Sequence, residues 1–204
     1  MSIQAVIWDL GGVLVRTENY VPRRTLAGRF GMTFEEIEDF VFSGESGDRA
    51  QRGEISVEQH WENQRKELGL SPVEMQVFRD QFWQGDRLDT DLVAYIRQLR
   101  QSYKTGLLSN AFSDLRAVVS EIWKFADAFN EMIISAEVGL VKPDPRIYHL
   151  ALERLGVVPE AAVFIDDYIH NVEGARAVNM HAIHFRDPQQ TRSELQDLLN
   201  GSRP

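Results

Sequence analysis

The strongest constraint on this chain is an alternation of two patterns. Short apolar runs occur at IQAVIWD (Ile3–Asp9), TGLLS (Thr105–Ser109), AAVFID (Ala161–Asp166) and HAIHF (His181–Phe185), with a weaker run at EMIIS (Glu131–Ser135). Between them lie stretches such as Arg146–Leu155 and Val172–Val178, with apolar residues three and four apart. Runs that are apolar at successive positions suit strands covered on both faces, and the interleaved period suits helices. The alternation therefore predicts an α/β fold: a parallel sheet with helices on both faces.

The stretch from about Arg16 to Gly85 breaks the alternation. It carries helical patterns at RRTLAGRF (Arg23–Phe30), FEEIEDFVF (Phe34–Phe42), VEQHWENQRKEL (Val57–Leu68) and VEMQVFRDQFW (Val73–Trp83), and no convincing strand. Structureless loops longer than about 12–15 residues are uncommon, so a stretch of this length directly after the first strand predicts a separate helical lobe. Within it, Gly53 suits a helix end, and Ser56 with Gln59 matches a capping box for the next helix. No internal repeat or low-complexity segment is evident, and the terminal GSRP is expected to fray.

With 204 residues and 43% hydrophobic content, the chain can build one sizeable α/β domain with an appendage. Its formal net charge of -9 argues against nucleic acid or an anionic membrane as main partner, because both require clustered Lys and Arg. The absence of cysteine excludes a disulfide framework and thiolate chemistry. Asp9 interrupts the first apolar run and no basic residue precedes it, so neither a signal peptide nor a membrane span fits, and a cytoplasmic location is the expectation.

Ligands of open parallel sheets gather at the carboxyl ends of the strands. The residues there are Asp9, Ser109 and Asn110, Lys142 beyond the weak strand, and the pair Asp166 and Asp167. Three carboxylates on one rim repel each other, and without a cation at least one is driven to protonate. A hard divalent ion relieves that repulsion, and magnesium combines protein carboxylates with water and substrate phosphate. The rim thus reads as a magnesium and phosphate site, with Lys142 as the fixed positive charge on a transferring group.

Each element has a plainer explanation when taken alone. Asp9 with Gly11 and Gly12 could start a turn, Asp167 could cap a helix, Ser109-Asn110 could punctuate a strand end, and Lys142 could be a surface lysine. Asp144 followed by Pro145 reads as a helix cap and is assigned no catalytic role. The coincidence of four such elements at successive strand ends favours the site.

In their order, Asp9 in WDLGGV, Ser109-Asn110 in LLSN, Lys142 in VKPDPRIY and Asp166-Asp167 in FIDDYIHNVEGA resemble the four motifs of the haloacid dehalogenase (HAD) superfamily. The resemblance spans nearly the whole chain. It implies a Rossmann-like, HAD-like α/β core formed by residues 1–15 and 86–204, and an inserted α-helical cap of residues 16–85. More narrowly, WDLGGV, QRGEIS, LLSN and FIDD are similar to the bacterial phosphatases acting on glucose 1-phosphate and related small esters.

The resemblance implies Asp9 as nucleophile, forming an aspartyl-phosphate that water hydrolyses. Ser109 and the backbone amide of Asn110 would hold phosphate oxygens, Lys142 would neutralise charge, and Asp9, Asp167 and Asp166 would serve magnesium, the last directly or through water. Gly11 would serve it through its carbonyl. Asn171 is either a support for these groups or a polar residue of the next helix. A small phosphorylated substrate, with no nucleic-acid or membrane partner, and a monomer or homodimer are the corresponding expectations.

Phosphatases of the superfamily usually carry an aspartate, the general acid and base, where this chain has Gly11. A positioned acid is typically worth about 10²–10⁴ in rate. The alternatives are a substrate with a good leaving group, a donor from the cap among Glu18, Glu54 and His60, or weak turnover. Arg16, Arg23, Arg24, Arg49 and Arg52 are further cap cations, either facing the leaving group or solvated at the surface. Two competing functions stand beside the phosphatase: a 2-haloacid dehalogenase, which gives the Asp166-Asp167 pair no use, and a non-catalytic relative that binds a phosphate metabolite or a protein.

Overall fold

The computed structural model describes residues 2–201. Five strands form one parallel sheet: β1 Ala5–Trp8, β4 Lys104–Ser109, β5 Glu131–Ile134, β6 Ala162–Asp166 and β7 His181–His184, in the order β5-β4-β1-β6-β7. β1 lies at the centre, Trp8 pairing with Leu107 on one side and Ile165 on the other. That register brings the ends of β1, β4 and β6 to one edge.

The pleat sorts β1 onto two cores. Val6 and Trp8 face a cluster with α6 (Thr90–Leu99), which contributes Leu92, Val93, Ile96 and Leu99, and with Leu195 of α11 (Pro188–Gly201). Ala5 and Ile7 face the opposite cluster with α9 (Pro145–Leu155), which contributes Ile147, Tyr148, Ala151, Leu152 and Leu155, and with α10 (Ile169–Ala177) through Ala175. Every residue of β1 is buried, which is why no polar residue alternates in its sequence. Two short helices, α7 Leu115–Ala117 and α8 Ser135–Val138, follow β4 and β5.

Five helices are inserted between β1 and α6: α1 Val21–Arg29, α2 Phe34–Phe42, α3 Glu45–Gln51, α4 Val57–Glu67 and α5 Pro72–Trp83. They enclose their own apolar cluster around Leu26, Ile37, Val41, Trp61, Phe78 and Phe82. Thr33 with Glu36 and Ser71 with Glu74 close full capping boxes on α2 and α5. At α4 only half of the expected box forms: Ser56 Oγ accepts from Gln59 N, without the reciprocal bond. Gly53 takes φ +68 just after α3, as a helix end requires.

Two features depart from the sequence reading. The stretch read as lacking strands contains β2 (Val15–Thr17), which pairs antiparallel with β3 (Asp86–Leu88) to form the entry and exit of the insertion. These three-residue strands are half-buried and paired across more than sixty residues of chain, so neither shows a local apolar pattern. Helix α3 carries no apolar stripe either; Gly47 permits its close approach to α2, since a Cβ there would lie 2.6 Å from the Val41 carbonyl. Of the terminal GSRP expected to fray, Gly201 ends α11 and the other three residues lie outside the described residues. No helix among the described residues is long and apolar enough to cross a membrane.

Candidate active site

Asp9 follows β1 directly, its amide donating to Ile165 O at 2.9 Å, so its backbone is an extension of the central strand. Asp166 ends β6 beside it and Lys142 reaches in from the loop after α8. The Lys142 Nζ lies 2.8 Å from Asp9 Oδ1 and 2.7 Å from Asp166 Oδ2, with all three side chains almost wholly buried. The Phe164 ring lies 5.3 Å from the ammonium. Lys142 is therefore not the surface lysine that it would be taken for alone.

Asp166 is held from two further directions: Asn171 Nδ2 donates to both of its oxygens at 3.1 Å, and Tyr168 N donates to Oδ1 at 2.8 Å. Asn171, left open by the sequence, thus supports the carboxylate, and Tyr148 Oη steadies it by donating to the Asn171 carbonyl at 2.8 Å. Asp167 does not cap α10, whose N-terminal residue has no side-chain cap. Asp144 does cap α9, accepting from Arg146 N at 2.9 Å.

Each of Asp9, Asp166 and Asp167 offers a carboxylate oxygen within 4.8 Å of the others, a group able to hold a metal ion. Their electrostatics fit a cation. Desolvation pushes the Asp9 carboxyl up to about 8 although Lys142 pulls the other way, and the Asp166 charge adds to the rise. Desolvation and the same neighbour raise Asp167 to about 6. Burial alone would lower Lys142, but Asp9 and Asp166 beside it outweigh that and hold it above its usual value. One ammonium does not compensate three carboxylates, so a further positive charge is what the group lacks.

Ser109 closes β4 at the same edge, buried, and Asn110 follows it. The Asn110 side chain clamps the Lys142 backbone: Oδ1 accepts from Lys142 N at 2.7 Å and Nδ2 donates to Lys142 O at 3.0 Å. Gly11 and Gly12 turn the chain out of β1. Gly12 has φ +72 and a Cβ there would lie 2.0 Å from Asp167 Oδ2, whereas a Cβ on Gly11 would meet nothing within 4 Å.

The other residues considered from sequence divide sharply. His60 is fully buried within the insertion, its Nδ1 3.0 Å from Ser46 Oγ and its ring against Trp61 and Phe112. Burial lowers it to about 4, and the ring, enclosed by Ser46, Trp61 and Phe112, has no exposed surface to present to a substrate. Arg23 is neither solvated nor free: it is buried against the Phe82 ring and pairs with Glu38 and, through Nη2, with both oxygens of Asp86. Arg16 pairs with Asp89 at 2.8 Å and Arg49 with Glu54 at 3.6 Å, whereas Arg52 and Glu18 are exposed. Tyr148, Ser135 and Phe112 escaped the sequence reading, because apolar or hydroxyl residues in a helix or loop carry no sign of the partner they will meet.

Comparison with known proteins decides the family, since the haloacid dehalogenase-like hydrolases match residues 3–179. The chain belongs to that family. Among its relatives, Phosphatase MT3486 of Mycobacterium tuberculosis is 30% identical over 224 residues, covering 100% of both chains. Acyl-CoA dehydrogenase family member 10 of Mus musculus is 29% identical over 218 residues, but the present chain spans only 19% of that protein's length. A HAD-family enzyme of Bacteroides thetaiotaomicron, solved with magnesium and inorganic phosphate, shares the fold with a TM-score of 0.76 at 22% identity, over 93% of this chain and 99% of that one. As a HAD-like hydrolase the chain is an enzyme with the α/β core expected from its strand pattern.

Proposed function

We propose that this hydrolase is a magnesium-dependent phosphatase that cleaves a small phosphate monoester through an aspartyl-phosphate on Asp9. The observation that carries the reading is the single buried ammonium of Lys142 shared by Asp9 and Asp166, with Asp167 close enough to complete a cation site. The name of the Mycobacterium relative and the magnesium and phosphate of the Bacteroides neighbour support it.

Asp9, Asp166 and Asp167, with the Gly11 carbonyl, would hold the ion, which when bound supplies positive charge to the phosphoryl oxygens. Lys142 fixes the Asp9 carboxylate for in-line attack, while Ser109 and the Asn110 amide receive phosphoryl oxygens at the end of β4. An Asp9 oxygen attacks phosphorus, and the bond to the leaving oxygen breaks with its electron pair. The leaving oxygen takes a proton from solvent; water then attacks phosphorus and gives up its proton to solvent, the bond to Asp9 breaks, and the carboxylate is restored as inorganic phosphate is released. The insertion spanning residues 16–85 would act as the cap that excludes bulk water.

Gly11 has no proton to give, Lys142 is committed to two carboxylates, and His60 is enclosed. The substrates that fit are those whose oxygen leaves with little help, such as sugar 1-phosphates and acyl phosphates. The test is phosphate release from p-nitrophenyl phosphate, expected with magnesium and absent in Asp9→Asn. Retention of activity in that variant, or chloride release from a 2-haloacid in the presence of chelator, overturns the reading.

A further inference from the structure

The turn that ends in the phosphate-binding residues does not stop at the sheet. Phe112, three residues beyond Ser109, leaves the α/β core and enters the apolar cluster of the inserted helices, where it is buried with only 7% exposure. Its ring centroid lies 4.7 Å from that of His60, 6.2 Å from Trp61 and 6.1 Å from Phe42, nearly parallel to the last at 24°. These three partners belong to α4 and α2, so the socket is made entirely by the insertion.

The residues between Ser109 and Phe112 are tied to the site by hydrogen bonds that leave little slack. Asn110 makes its two bonds to the Lys142 backbone, and Ala111 N donates to the buried Ser135 Oγ at 2.9 Å while that hydroxyl donates to Ala111 O at 3.2 Å. The next residue, Ala136, takes the second contact of the insertion: Gly53 packs so close that a Cβ would lie 2.1 Å from its carbonyl oxygen. The insertion thus contacts the segment that follows Ser109 and the helix that precedes the Lys142 loop, by a ring in a socket and by backbone against backbone.

We infer that Phe112 is a positioning residue: through Ala111 and Asn110 it makes the placement of Ser109 and Lys142 depend on how the inserted helices are seated. The inference rests on the phosphatase reading for its kinetic consequence, not for its mechanical one. The socket holds the ring and so restrains the backbone that carries it, and a displacement of about 1 Å at a site of this kind costs on the order of 10²-fold in rate.

The test combines Phe112→Ala, Phe112→Leu and the insertion-side variant Phe42→Ala, with inorganic phosphate as inhibitor and p-nitrophenyl phosphate as substrate. Phe112→Ala is expected to raise the phosphate inhibition constant and lower kcat/KM by about tenfold, with Phe112→Leu recovering most of the loss. Phe42→Ala shifts the inhibition constant in the same direction, and in the double variant the effects are less than additive. Lower melting temperatures with an unchanged inhibition constant, or strict additivity, overturn the inference by reducing Phe112 to packing. If the wild-type protein neither releases nor binds phosphate, the functional reading fails, and amide exchange in Phe42→Ala decides the coupling. Faster exchange at Ala111 and Lys142 supports it; unchanged exchange at both overturns it.

Discussion

Asn110 and Lys142 are joined by a closed pair of hydrogen bonds, side chain to backbone, at 2.7 and 3.0 Å across thirty-two residues of sequence. The pair fixes the direction from which the Lys142 side chain enters the site. Asn110→Ala is therefore expected to lower kcat/KM by about 10–10²-fold through misplacement of the ammonium, at a stability cost of about 1–3 kcal/mol. Steady-state kinetics with denaturant unfolding checks this, and an activity loss no larger than the stability loss explains would refute it.

Lys142 lies between Asp9 and Asp166 with 1% of its side chain exposed. Lys142→Met abolishes turnover and leaves two buried carboxylates facing each other, an uncompensated arrangement that costs about 3–5 kcal/mol. Urea unfolding with chelator reports that cost. Addition of magnesium is expected to recover part of it, because cation and lysine answer the same repulsion.

Gly11 and Gly12 are predicted to respond oppositely. Gly12→Ala strains a backbone at φ +72 and drives a Cβ into Asp167, so cation binding is lost. Gly11→Asp meets open space. It is expected to fold normally and to raise kcat/KM selectively for esters with poor leaving groups, since it supplies the proton donor that the turn lacks. Equal rates for Gly11→Asp and wild type across a leaving-group series would show that proton transfer does not limit turnover.

The proposed cation binding would carry a pH signature. Asp9 at about 8 and Asp167 at about 6 retain protons that a cation must displace. Magnesium affinity is expected to rise between pH 6 and 8, with protons released on binding. Calorimetry in two buffers of different ionisation enthalpy measures the release. In the metal-free protein the raised Asp9 value means that its favourable contribution, present below the unfolded value near 3.8, is lost as pH rises towards 8.

His60 gives the opposite slope. Its folded value of about 4 lies below the ordinary histidine value of 6.5, so the unfolded chain binds more protons between them and stability falls as pH drops through that window. His60→Leu is expected to flatten the acid limb of a pH against melting-temperature profile from 6.5 down to 4. An unchanged limb would place the acid sensitivity elsewhere.

Much of this was legible before the fold was known, for identifiable reasons. A central strand covered on both faces is predominantly apolar, so β1, β4 and β6 stand out, and the polar residues at their carboxyl ends mark the rim. Asp9, Asp166, Asp167 and Lys142 can be grouped from sequence because all stand at or beyond strand ends of one sheet, and the structure brings them together. By contrast, β2 and β3 depend on pairing with a segment far along the chain, and α3 depends on a glycine contact, so neither has a local period to betray it.

The sequence by itself determined the layered α/β core, the helical insertion and the acidic character of the strand ends, since these follow from periodicity and charge along the chain. Only the tertiary structure decided that Lys142 is shared between Asp9 and Asp166, that Asn110 clamps a backbone, that His60 is sealed away, and that Phe112 crosses into the insertion. Those facts depend on burial and on contacts between residues distant in sequence. A side chain's identity states which bonds it can make, but folding chooses the partner.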